Sequence, residues 1–236
     1  AFVDIAGKEF YKIEAVDAMA PFFMTIVSPY DHWLFIASNG GLTAGRGGAH
    51  KAIFPYYTDD KIVDNAEMTG SKTLLRVSNP DNAEEAWLWE PFSSSYRGVY
   101  QIQRNLYKST LADQVCFEER NEDLQLTFRY FWGFSKQYGL VKKSEVHYWG
   151  PGKREMEVLD GLQNLLPYGV DNMMQDSRST LVDAYKKNEL VSETGLAIYS
   201  LSSNIVDKAE PSESLMANVV WCNDKPQQVL LSNKQL

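Results

Sequence analysis

The chain has 236 residues, 44% of them hydrophobic and 23% charged, which is ordinary globular usage with enough apolar material for a sizeable core. Its 31 acidic against 23 basic residues give a formal net charge of -8 with no run of Lys or Arg, so a phosphate-tracking surface has little to be built from and nucleic acid is not an expected partner. The longest apolar stretches, such as residues 20–27, fall well short of the ~20 residues that cross a bilayer and follow no basic leader, so no membrane partner and no signal peptide are expected.

The first residue is Ala1 rather than Met, which fits a processed, trimmed or excised polypeptide. The compartment stays open, with the cytoplasm slightly ahead of the periplasm or secretion. Period-two alternation begins within a few residues and marks segments 10–16 and 32–37 as strands.

The next stretch, residues 38–60, is the most unusual in the chain. It reads Ser38-Asn39-Gly40-Gly41-Leu42-Thr43-Ala44-Gly45-Arg46-Gly47-Gly48 and then Phe54-Pro55-Tyr56-Tyr57-Thr58-Asp59-Asp60. Its glycines permit tight turns and close approach, but the spacing lacks the Gly-Lys-Ser/Thr ending of a phosphate loop. A long loop between strands is the plain reading, and its length, Arg46 and tandem carboxylates mark it for binding. Asp59 and Asp60 do not make a glycosidase pair, because neighbours on an extended chain point to opposite faces; turn formation or pairing with arginine is their expected use.

Strand patterns continue at 72–77, 85–89, 98–106, 115–119, 141–148 and 154–159. The clearest lies between them, with Leu124, Leu126, Phe128, Tyr130 and Trp132 alternating against Asp123, Gln125, Thr127 and Arg129. Ser78-Asn79-Pro80-Asp81-Asn82, Asn121-Glu122-Asp123 and Gly150-Pro151-Gly152 read as hairpin connections. These spacings leave no room for a helix in the first two thirds. Trp87 and Trp89 fall on one strand face, where core packing explains such a pair more often than sugar stacking does. Glu155 and Glu157 also share a face, alternating with Met156 and Val158, and read as a solvated outer side.

Residues Val170, Met173, Met174, Ser177, Leu181, Ala184 and Tyr185 then recur at helical spacing. One amphipathic helix near 171–189 is expected, capped by Asp171 and ending at Lys186-Lys187, whose charges suit the helix C-terminus. Strands resume at 196–201 and 217–222. The fold class is therefore mainly β, an antiparallel sandwich with one packed helix, in a single domain over residues 1–236.

Chemistry-bearing motifs are sparse. His32, His50 and His147 show no ligand spacing, so no metal site is expected, and no Gly-x-Ser-x-Gly elbow provides a nucleophile. No cofactor is expected. Cys116 and Cys222 read as two buried free thiols, since a bridge needs Cα atoms at roughly 5.5 Å. His147 with Glu145 on one strand face is the only acid/base pair on offer.

Asp31-His32-Trp33, the 38–46 glycine loop and the 54–60 segment resemble the N-terminal β domain of cellobiose-phosphorylase-type glycoside phosphorylases. So do Glu157-Val158-Leu159-Asp160-Gly161-Leu162-Gln163-Asn164, Leu166-Pro167-Tyr168-Gly169, and the run from Ser202-Ser203 through Asp207-Lys208-Ala209-Glu210-Pro211-Ser212-Glu213-Ser214 to Trp221. The resemblance covers about half the chain, in patches. It implies a super-sandwich related to that of galactose mutarotase, preceding a C-terminal helical toroid that carries the family's catalytic aspartate and phosphate-binding residues. The chain stops at Leu236, before any run of helical hairpins, so no catalytic residue is assigned to it.

The resemblance further implies homodimer contacts and a border on the sugar site. The expected function is a carbohydrate-binding or scaffolding β domain of a glycosyl hydrolase- or phosphorylase-like protein. Trp33, Asn39, Arg46, Tyr57, Asp59 and Asp60 are its expected substrate-binding residues, with Arg46 fixing a hydroxyl or carboxylate and Trp33 stacking on a ring. The alternatives are a stand-alone aldose 1-epimerase using His147 and Glu145, and a structural dimerisation module.

Overall fold

The computed structural model describes residues 1–206, 212–224 and 226–235, and of Asp59, Ala83 and Asn233 only the backbone. The Asp207 to Pro211 part of the last resembling segment lies outside the described residues. The described chain is mainly β. Its strands are β1 (Phe2–Ile5), β2 (Lys8–Ile13), β3 (Phe23–Ile26), β4 (His32–Ala37), β5 (Leu42–Arg46), β6 (Gly70–Asn79), β7 (Asn82–Trp89), β8 (Ile102–Ser109), β9 (Gln114–Asn121), β10 (Leu126–Ser135), β11 (Gly139–Tyr148), β12 (Glu155–Gln163), β13 (Lys186–Val191), β14 (Leu196–Leu201) and β15 (Asn218–Val220). The helices are α1 (Asp59–Asp64), α2 (Asn172–Ser177) and α3 (Ser179–Tyr185). No described helix is long and apolar enough to cross a membrane.

Contacts divide the chain into two compact units, one of residues 1–42 and 58–162, the other of residues 43–57 and 163–236. In the first, a six-stranded sheet runs β1-β2-β8-β9-β10-β11 and a three-stranded sheet runs β12-β6-β7, with antiparallel registers such as Phe128 opposite Glu119 and Val146. Alternation along β10 sends Leu126, Phe128, Tyr130 and Trp132 to one side, where all four are buried. The three-stranded sheet supplies Leu75, Val77 and Trp89 to the same interior. The indole of Trp89, on β7, donates to Glu119 of β9 at 2.9 Å, so the two sheets face one another as a sandwich.

The opposite face of β10 is not simply solvated. Phe131 packs with Phe10, Tyr107 and Cys116, with Val3 and Ile5 against them, so this central strand buries side chains on both faces. Glu118, also on that face, accepts hydrogen bonds from Asn105 and Tyr107, both at 2.8 Å, and from Arg129.

The second unit is built round the antiparallel sheet β13-β14-β15. Its two sequence pieces are stitched by backbone: the N–H of Leu166 donates to the carbonyl of Ile53 at 2.9 Å. The N–H of Tyr56 donates to Gln175 Oε1 at 3.0 Å.

Several expectations need correction. The single helix near 171–189 is two short ones, because Arg178 leaves helical geometry at φ -133°, ψ 23°. Asp171 does cap the first, its carboxylate accepting from the N–H of Met174 at 2.8 Å, but Lys186 and Lys187 begin β13 rather than end a helix. The first two thirds do contain a helix, α1. The Gly150-Pro151-Gly152 turn is not a hairpin, since β11 and β12 belong to different sheets. Finally, the 38–60 stretch is not all loop but holds β5 and the start of α1, and the last strand ends at Val220, leaving Cys222 exposed while Cys116 is buried; both thiols are free.

Candidate functional site

The hairpin of β3 and β4 owes its orientation to plain alternation. Met24, Ile26, Leu34 and Ile36 are buried, and Thr25 stands opposite Phe35 and Phe23 opposite Ala37. Thr25 and Phe35, between the buried ones, turn outward, and Phe23, Phe35 and the following Val27 are exposed, while Ala37 opposite Phe23 is buried. Trp33 is half-buried, and its ring lies 5.8 Å from that of Phe35 at 40°. An aromatic strand face of this kind offers flat apolar area with few rotatable bonds. Trp33 is legible in the sequence alone, and for Phe23, Thr25 and Phe35 the signal is the spacing of Trp33 with Phe35 and of Phe23 with Thr25.

A second feature of the same unit is a small polar cleft of about 30 Å³, whose lining includes Asn39, Gly40, Lys72, Thr73, Phe92 and Tyr130. Gly40 sits at φ +93°, where a Cβ would come within 2.8 Å of the Tyr130 hydroxyl, and a Cβ on Gly41 would meet the Ile62 carbonyl at 2.1 Å. The close approach that these two glycines permit is thus to their own chain. Asn39 is committed to the same turn: its Nδ2 donates to the Val63 carbonyl at 2.9 Å and its Oδ1 accepts from the N–H of Gly41.

Charges around the cleft are matched. Lys72 pairs with Glu90. Glu67 accepts from Ser93 Oγ at 3.2 Å and the N–H of Ser94 at 3.0 Å; burial works against its charge, but these bonds outweigh it and hold the carboxyl below the usual range. Asp160 accepts from Thr73 Oγ1 at 2.5 Å and from Lys142 Nζ at 2.6 Å. A volume of about 30 Å³ holds a water or two and no sugar ring, so the cleft serves as a polar seam.

Behind it, Glu119 is fully buried and accepts from Trp89 Nε1, from the N–H of Phe92 at 2.7 Å and from Arg104 Nε at 2.7 Å. Burial raises its carboxyl above the ordinary range, with Arg104 pulling the other way. Phe92 itself adopts a left-handed backbone, φ 66°, and its ring meets Tyr130 edge-on at 5.2 Å.

The six expected binding residues fall four and two between the units. In the first, the Asn39 bond to Val63 joins that turn to α1, which begins at Asp59 and Asp60. Asp60 accepts from Thr58 Oγ1 at 2.6 Å, and this bond holds its exposed carboxyl below the usual range. Trp33 lies on the aromatic face. In the second unit, Arg46 ends β5 and is exposed. Tyr57 is half-buried there, its phenol raised by burial and by the Asp176 carboxylate.

The Glu145 and His147 pair shares one face of β11, where Arg129 stands opposite Glu145 and Thr127 opposite His147. Lys143 pairs with Glu145. Among the described residues, no three His, Cys, Asp or Glu side chains converge as ligands for a metal. No model of a known protein family matches the chain, and no curated protein matches it.

Proposed function

We propose that the chain is a carbohydrate-binding and scaffolding β module of a glycoside phosphorylase- or glycosyl hydrolase-like protein, with catalysis carried by a helical domain of the same protein. The observation that carries the reading is the aromatic face of β3 and β4, where half-buried Trp33 and exposed Phe35 lie 5.8 Å apart on one hairpin. Flat rings held by a scaffold suit the apolar face of a pyranose, and little side-chain entropy is lost on binding. The patchwise resemblance to cellobiose-phosphorylase-type proteins supports the same class of ligand.

The test is calorimetric titration with a panel of neutral mono- and disaccharides, comparing the wild type with Trp33→Ala and Phe35→Ala. Phe35→Ala removes an exposed ring and Trp33→Ala a half-buried one, so circular dichroism checks that both variants fold. Affinity is expected to fall about tenfold, equivalent to ~1.4 kcal/mol. Unchanged affinity in both variants rules the platform out.

A further inference from the structure

On the outer side of the three-stranded sheet lies a groove of about 440 Å³ that includes Arg76, Ser78, Pro80, Glu155, Met156 and Glu157 in its lining. It forms because Arg76 and Ser78 are alternate residues of β6, Glu155 and Glu157 are alternate residues of β12, and the two strands are neighbours. The size is that of a small-ligand site, whose usual range is roughly 300–1,000 Å³.

We propose that this groove is a second saccharide subsite, a ligand class that rests on the carbohydrate reading above. Arg76 Nη1 donates to Glu157 Oε2 at 3.1 Å, a bond that uses one of the five N–H donors of the guanidinium, while 52% of the Arg76 side chain faces solvent. A planar fork of donors beside two carboxylate acceptors matches vicinal hydroxyls, each of which both donates and accepts. Pro80 and Met156 add apolar surface for the C–H side of a ring. Two carboxylates against one guanidinium leave the groove net negative, which disfavours phosphate and sugar acids. The Glu155/Glu157 spacing, which reads in sequence as a merely solvated side, here becomes one wall of a site.

The experiment is titration of the whole chain with glucose, galactose, maltose, cellobiose and lactose, with inorganic phosphate and free lysine as controls. The variants are Arg76→Ala, Arg76→Lys, Glu155→Gln with Glu157→Gln, and Trp33→Ala. All change exposed or half-buried side chains, and unaltered circular dichroism checks that each variant folds. One saccharide is expected to lose at least about tenfold in affinity with Arg76→Ala and with the double glutamine variant, and Arg76→Lys is expected not to restore it. Saccharide binding that falls with Trp33→Ala but not with the groove variants overturns the groove alone. Absence of saccharide binding by the wild type overturns both readings. Binding of phosphate or lysine that depends on Arg76 or the glutamates assigns the groove to another ligand and likewise overturns the proposal.

Discussion

Replacing Glu119 by Ala removes one carboxylate and deprives three donors of their acceptor: the indole of Trp89, the N–H of Phe92 and Nε of Arg104, whose Nη2 keeps its bond to the Ser93 carbonyl. Glu119 is fully buried and the Arg104 side chain is 16% exposed, so water reaches neither group easily. Leaving one partner of a buried pair costs roughly 3–5 kcal/mol, and each orphaned neutral donor about 1–3 kcal/mol in isolation. Because the three share one acceptor, the costs do not add, and a total of about 4 kcal/mol is expected. With a urea slope near ~2 kcal/mol per molar, the unfolding midpoint of the first unit should fall by about 2 M. Urea titration followed by circular dichroism and tryptophan fluorescence measures this. Glu119→Gln keeps the shape and one acceptor, and should fall between the two. A loss below ~1 kcal/mol for the alanine variant would refute the claim that this carboxylate couples the sheets.

Cys116 is buried and its thiol is pushed up chiefly by that burial, whereas Cys222 is exposed. A thiol-specific reagent should therefore label one cysteine per native chain and two after denaturation, and fast labelling of both in the native protein would contradict this placement. Burial alone raises Glu118, but the bonds from Asn105 and Tyr107 and the charge of Arg129 outweigh it and hold the carboxyl below the usual range. A folded pKa below the unfolded one adds stability that is present at neutral pH and lost as pH falls through roughly 4 and below. Glu118→Gln should accordingly lower the thermal midpoint at pH 7 and converge on the wild type in acid; a gap that does not vary with pH would show that the charge of Glu118 contributes nothing.

The mainly β architecture was legible because strands such as β10 alternate strongly, and residues 32–37 coincide with β4. Where signals were short or mixed, the reading failed for physical reasons. Phe23–Ile26 is four residues long and reads as part of an apolar stretch rather than a strand. Lys186–Val191 is polar along most of its length, so it passed for the tail of the preceding helix. The break at Arg178 lies between Ser177 and Ser179, residues that compete with helical bonds through their own hydroxyls, yet helical spacing carries across it.

At the candidate site, Trp33 and its alternation with Phe35 were visible in one line of sequence. The roles of Glu118 and Glu119 were not. Alternation assigns such neighbours to opposite faces, but only the folded sheet shows which meets Arg104 fifteen residues upstream and which meets Arg129 eleven residues downstream.

The interrupted composition of the second unit bears on synthesis. Residues 43–57 leave the ribosome more than a hundred residues before the segment that completes their unit, and the carbonyl of Ile53 must wait for the N–H of Leu166. Nascent chains of intermediate length thus carry Phe54, fully buried in the finished fold, with its covering yet to be made. Such delayed, long-range closure is slow and exposes sticky surface meanwhile, so truncations ending near residue 162 should aggregate more readily than the whole chain.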